Sequence, residues 1–376
     1  MIQRLVTISV PAGAHMESQS GLQMNNPRVY GNLCKKEGGN PDTVFVLMHP
    51  TSNFHGHYLL EPLTEAGYAV FALNSRYVNN DSVLIMERVL LDLGEGIKFL
   101  KSEGFKRIVL IGNSGGGELM SFYQSQAENP TITHTPAGDE LDLTKANLIP
   151  GDALILLAAH PGRARTLTDW LDASVVDESN PYITDPDLDM FCEKNGPPYS
   201  IEFLKRYRQA QIERNRKITR WVKSQLEYFR EINDPDKVDM AFIVHRTMAD
   251  PRFEDLSIDP SDRERGALWG PTRKINFSAN NLGRFTTLKS WLSQWSLEDS
   301  NADGVRNISK VSVPVFIVAY TADQAVFPME TKDFFDSVQH NKKDLAEIKG
   351  GNHYLLNQPD QIMEVSQKIL DWVKKY

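Results

Sequence analysis

Residues 107–126 read RIVLIGNSGGGELMSFYQSQ, and this stretch decides the fold. RIVLIG is a short, near-continuous apolar run, the signature of a buried strand. Residues 118–126 read as a helix. Between them stands Gly112-Asn113-Ser114-Gly115-Gly116, a G-x-S-x-G match at a strand-to-helix turn. A serine there occupies the tip of a sharp, strained turn. Glycines two residues to either side let strand and helix approach with no side chain between them. The competing reading is a Gly-rich turn that cradles phosphate. A dinucleotide site is disfavoured, because G-x-G-x-x-G is absent here.

The same rhythm extends in both directions. Upstream, residues 5–10 and 28–33 read as a hairpin-like start. TVFVLMH (43–49) and YAVFALN (68–74) are strand-like, with helical spacing over 58–66 that ends at Gly67. A longer helical pattern covers 83–103, where Ile85, Val89, Leu93, Ile97 and Leu100 recur at three- and four-residue steps. Downstream come strands at 152–159 and 313–320, a helix at 330–338, a short strand at 345–350 and a closing helix at 361–375. Apolar strands alternating with helices indicate a mostly parallel central sheet flanked by helices, an α/β fold.

Between residues 161 and 310 the rhythm breaks. Loop-rich sequence is followed by a charged helix over 200–232 and by further loops rich in Asp, Pro and Asn. A stretch this long has the size of a small domain. The chain thus divides into a core of 1–160 and 311–376, with 161–310 inserted between two core strands.

A serine hydroxyl becomes a nucleophile when a base accepts its proton and a carboxylate orients that base. The chain order expected after a G-x-S-x-G turn is Ser, then Asp or Glu, then His. Asp323 follows the strand 313–320 in YTADQAVFP and is the sole acid of that loop. His353 follows the next strand in KGGNHYLL. Both fall just beyond strand carboxyl ends, where sites of open α/β sheets assemble. An oxyanion hole needs two N–H donors. Gly115 is the first expected donor. The second should come from the loop after 43–49, where Pro50 has no N–H, so Thr51 is expected.

These features resemble the α/β-hydrolase superfamily. The resemblance rests on the His49-Pro50-Thr51 loop, the GNSGG turn, the YTAD acid loop and the GGNH histidine loop. Many members carry His-Gly where this chain has His49-Pro50. The resemblance implies an α/β-hydrolase fold with a large, mainly helical cap at 161–310, after the sixth core strand. It implies a serine hydrolase acting through an acyl-enzyme, most commonly on a carboxylic ester. Carbon–carbon hydrolysis, amide hydrolysis or acyl transfer by the same triad are alternatives, and ligand binding without turnover is a further one.

Other features narrow the class. Net charge is -8 over 376 residues, which disfavours a nucleic-acid partner. No apolar run approaches the roughly 20 residues of a membrane helix. Two distant cysteines, Cys34 and Cys192, and an N-terminal stretch without signal-peptide character suggest a cytoplasmic protein. His49, His55 and His57 cluster without an acidic or cysteine partner at ligand spacing, so neither metal nor cofactor is expected. His160 ends a core strand and is read equally as a substrate contact and as a packed histidine. Five of the six tryptophans lie in or beside the insert. They suit either the core of a cap or a pocket for a small hydrophobic or aromatic substrate. Among arginines, Arg246, Arg252 and Arg284 are candidates for binding a substrate carboxylate. A homo-oligomer is left open.

Overall fold

The computed structural model describes residues 1–13 and 27–376. Its main element is an eight-stranded sheet. In chain order the strands are β1 (Ile2–Ser9), β2 (Arg28–Lys35), β3 (Thr43–His49), β4 (Ala69–Asn74), β5 (Arg107–Asn113) and β6 (Ala153–Leu157). A small ribbon of β7 (Ala241–Ile243) and β8 (Phe285–Thr287) follows, and β9 (Val315–Tyr320) and β10 (Lys343–Ile348) complete the sheet. The spatial order is β1-β2-β4-β3-β5-β6-β9-β10. β2 pairs antiparallel with β1 and β4. From β4 to β10 every pairing is parallel. This is the α/β-hydrolase fold.

The strands are apolar throughout because both faces of the sheet are covered. Successive side chains point to opposite faces. In β3, Val44, Val46 and Met48 pack into one core with Leu93 and Ile97 of the helix Met86–Ser102. Phe45 and Leu47 pack into the other with Ile369 and Val373 of the closing helix Pro359–Lys375. Each fully buried Val, Leu, Ile or Phe contributes about 1.5–3 kcal/mol.

The segment between β6 and β9 carries its own clusters. Its longest element is the helix Ile201–Ile232. The Ser200 hydroxyl caps it by accepting from the Phe203 N–H, and Asn233 ends it in the left-handed region at φ 48°. Ile218, Val222 and Leu226 on one face of this helix pack with Trp291 and Trp295. The Trp291 indole N–H donates to Thr219 Oγ1 at 2.9 Å. Several aromatics of the insert therefore form its core. The segment is fastened to the sheet domain by Ser293, whose hydroxyl accepts from the Met86 N–H and donates to Glu87.

The arginines of the insert are largely consumed by structure. Arg214, on the long helix, is buried and bidentate on Glu178, at 2.7 and 2.8 Å. Arg246 pairs with Asp172, and Arg252 with Asp250. Arg284 donates to the Ser278 carbonyl. Arg246 and Arg252 are thus already paired with carboxylates, whereas Arg284 is buried against backbone carbonyls and lies outside the lining of the cavity that holds Ser114. No described helix is long and apolar enough to cross a membrane.

Candidate active site

The carboxyl ends of β3, β5, β6, β9 and β10 converge on one small cavity. Ser114, directly after β5, has φ 58°, a left-handed backbone that non-glycine residues seldom adopt. Its N–H donates to the Leu157 carbonyl at 3.0 Å, which holds the strained turn in place. The helix Gly116–Glu128 begins immediately after. A Cβ on Gly112 would stand 2.4 Å from the Gly116 carbonyl oxygen, and one on Gly116 would stand 2.6 Å from the Met48 carbonyl oxygen. No side chain fits at either position, so strand and helix can approach this closely only because both residues are glycine.

The structure brings Ser114, His353 and Asp323 into one hydrogen-bonded chain. The Ser114 hydroxyl donates to His353 Nε2 at 2.8 Å. His353 Nδ1 donates to Asp323 Oδ2 at 2.7 Å. The other Asp323 oxygen accepts from the Ala325 and Val326 N–H groups, at 2.7 and 3.0 Å. The carboxylate is therefore clamped from both sides. Its clamp sets the Nδ1–H tautomer and leaves the Nε2 lone pair facing the serine. Ser114, Asp323 and His353 are each at least 96% buried.

The loop after β3 differs from the sequence expectation at one atom. Gly115 follows the serine as expected, and among the described residues its N–H has no protein partner. The Thr51 N–H, expected to be the second oxyanion donor, instead donates to His49 Nδ1 at 3.0 Å. The Ser52 N–H donates to the same nitrogen at 2.8 Å. A turn starting at Pro50 folds both amides back onto the preceding imidazole, and the assignment of Thr51 is corrected accordingly.

The cavity measures about 170 Å³. His49, Ser114, Gly115 and His353 form its floor, and Trp170, Leu268, Trp269 and Leu282 of the insert line it from the other side. His160 lines it too. Its N–H donates to the Ser114 carbonyl at 3.1 Å, and its Nδ1 lies 3.3 Å from Thr166 Oγ1. Burial, reinforced by neighbouring His and Arg side chains, holds His49 and His160 well below the usual histidine range. Both are neutral at physiological pH.

Three residues in or behind the cavity wall carried no recognisable signal in the sequence. Arg163 reaches the cavity and donates to Asp81 at 2.6 Å, while its guanidinium lies over the Trp295 ring. Its backbone N–H donates to Glu118, in the first turn of the helix after Ser114. Burial pushes Glu118 up to about 8. Tyr354, the neighbour of His353, lines the cavity together with Ser114. Glu118 and Arg163 lie in the first turns of two helices and Tyr354 in the loop after β10, and their convergence is a product of tertiary folding. Of the other loop histidines, His57 donates through Nε2 to Asn113 Oδ1 at 3.1 Å, beneath the turn. His55 turns away to the Tyr30 carbonyl.

Residues 288–376 match a family model described as PET hydrolase-like. That stretch contains Asp323 and His353 but not Ser114. No curated protein matches the sequence. Among solved structures, the esterase domain of a Rhodothermus marinus protein is 12% identical, with 100% of this chain and 99% of that chain covered and a TM-score of 0.50. DcsB, solved with its substrate analogue, is 12% identical, with 99% of each chain covered and a TM-score of 0.53. At such identity the likeness is one of fold.

Proposed function

The chain is an α/β-hydrolase by fold, and we propose that it is a serine hydrolase that cleaves a carboxylic ester of a small substrate through an acyl-enzyme. The observation that carries this reading is the hydrogen-bonded chain from Ser114 through His353 to Asp323, at the carboxyl end of the sheet. Ser114 Oγ attacks the carbonyl carbon while His353 Nε2 takes the hydroxyl proton. Asp323 holds the imidazole and stabilises the imidazolium. The tetrahedral oxyanion accepts a hydrogen bond from the Gly115 N–H. His353 then protonates the leaving alcohol, and a water activated by the same nitrogen releases the acid.

The cavity supports a small acyl group. Its volume of about 170 Å³ lies below the roughly 300–1,000 Å³ of drug-sized pockets. The rings of Trp170 and Trp269 offer apolar contact, and His160 and Thr166 offer polar contact. In this reading residues 161–310 act as a cap over a core of 1–160 and 311–376.

The test is covalent labelling with a fluorophosphonate, read by intact mass and peptide mapping, followed by assay of short-chain aryl and alkyl esters. A single adduct on Ser114, absent from Ser114→Ala, together with ester turnover supports the proposal. A folded protein that takes no adduct and turns over no ester overturns it.

A further inference from the structure

His49 ends β3 and is 8% exposed, with its ring against Phe54 at a centroid distance of 5.5 Å. Two backbone N–H groups, those of Thr51 and Ser52, converge on its Nδ1 at 3.0 and 2.8 Å. A nitrogen that accepts two hydrogen bonds carries no proton of its own. In the neutral imidazole the proton must therefore sit on Nε2. Burial keeps the ring neutral. The side chain is thus a fixed donor, with its tautomer set by the backbone and its orientation by Phe54.

The donor has a definite address. A Cβ built on Gly115 would stand 2.8 Å from His49 Nε2, nearer than to any other atom. The His49 ring and Gly115 both line the cavity that holds Ser114. Among the described residues no protein acceptor meets His49 Nε2. A cavity-facing N–H with no protein acceptor is open to a ligand atom.

We infer that His49 is a catalytic residue whose Nε2–H supplies the second hydrogen bond of the oxyanion pocket, alongside the Gly115 N–H. The inference rests on the reading of Ser114 as nucleophile. As the Ser114 Oγ–carbon bond forms, the carbonyl π pair moves onto oxygen and the serine proton passes to His353. That oxygen accepts from Gly115 and His49, and His49 neither gains nor loses a proton. The Thr51 amide orients His49 and does not touch substrate. A bulkier residue at position 115 would meet the imidazole, so the glycine after the nucleophile is matched to the histidine.

Two substitutions separate donor from scaffold. In His49→Asn the amide oxygen takes the place of Nδ1 and still receives the Thr51 and Ser52 amides, but no N–H reaches the Nε2 position. In His49→Gln the amide nitrogen reaches that position. Removing one oxyanion donor lowers kcat by about 10²–10³. We expect a loss of that size for His49→Asn in both ester kcat and fluorophosphonate inactivation rate, with KM and Tm little changed. We expect His49→Gln to recover at least about tenfold of it. In ¹⁵N-labelled wild type, phosphonylation of Ser114 should move the His49 Nε2–H proton resonance downfield, because the phosphonyl oxygen occupies the oxyanion position. That measurement stands even where His49→Asn fails to fold. Wild type labelled on Ser114 with His49→Asn equally fast, or with a His49 resonance indifferent to the adduct, overturns the inference and leaves the Ser114 reading intact. Wild type that is never labelled overturns both.

Discussion

The Ser114 hydroxyl and His353 Nε2 lie 2.8 Å apart although 239 residues of chain separate them. In the sheet, β5 and β10 are not neighbours, because β6 and β9 stand between them. The loop after β10 must lean back across two strands to meet the serine. Asp323, at the end of the intervening β9, is where the imidazole is anchored on that path.

Breaking this relay should abolish turnover without unfolding the protein. Ser114→Ala should lower kcat by about 10⁶. Asp323→Asn should lower it by about 10⁴, because an amide N–H facing His353 Nδ1 forces the wrong tautomer. Steady-state rates on an activated aryl ester, with circular dichroism as the fold control, check both. An Asp323→Asn variant within tenfold of wild type would reject the assignment of the acid.

Gly116 tests the tight turn. A methyl group there would stand 2.6 Å from the Met48 carbonyl oxygen, a backbone atom that cannot move cheaply. Gly116→Ala should be destabilised by at least about 1–3 kcal/mol, the usual penalty of overpacking. Urea denaturation measures the difference. A midpoint equal to wild type would mean the helix is free to shift.

Glu118 should make stability depend on pH. Burial raises its folded value to about 8, whereas the unfolded chain releases the proton near 4.5. Between these values the folded protein binds the proton and the unfolded chain does not. This group therefore favours folding less and less as pH rises from 4.5 to 8. Glu118→Gln should gain on wild type across that window, by up to a few kcal/mol at pH 8. Unfolding free energies at pH 5, 6, 7 and 8 reveal the trend. A constant difference between the two proteins would rule it out.

Trp269 should govern selectivity. It lines the cavity yet is 51% exposed, so its ring forms a wall near the mouth rather than part of the insert core. Trp269→Ala should raise KM for an aryl acyl ester by about tenfold, the value of one lost aromatic contact. It should leave acetyl ester KM nearly unchanged. Equal effects on both esters would place Trp269 outside the acyl pocket.

The sequence alone was enough to determine the sheet and the placement of Ser114, Asp323 and His353 at strand ends. Apolar periodicity reports which segments are buried on two faces, and chain order fixes which loops follow which strands. The strand and helix ends shifted by a few residues, as with 83–103 against Met86–Ser102, because capping and packing set the limits. Tertiary structure alone decided the rest. It turned the Thr51 amide onto His49, drew Arg163 and Tyr354 to the cavity, tied Arg246 and Arg252 to buried carboxylates, and divided the tryptophans between core and pocket. Each of those outcomes depends on contacts between residues far apart in the chain. A hydrogen bond of 3 Å leaves no mark in local composition, so no pattern along the sequence could have shown which donor faces the pocket and which faces the protein.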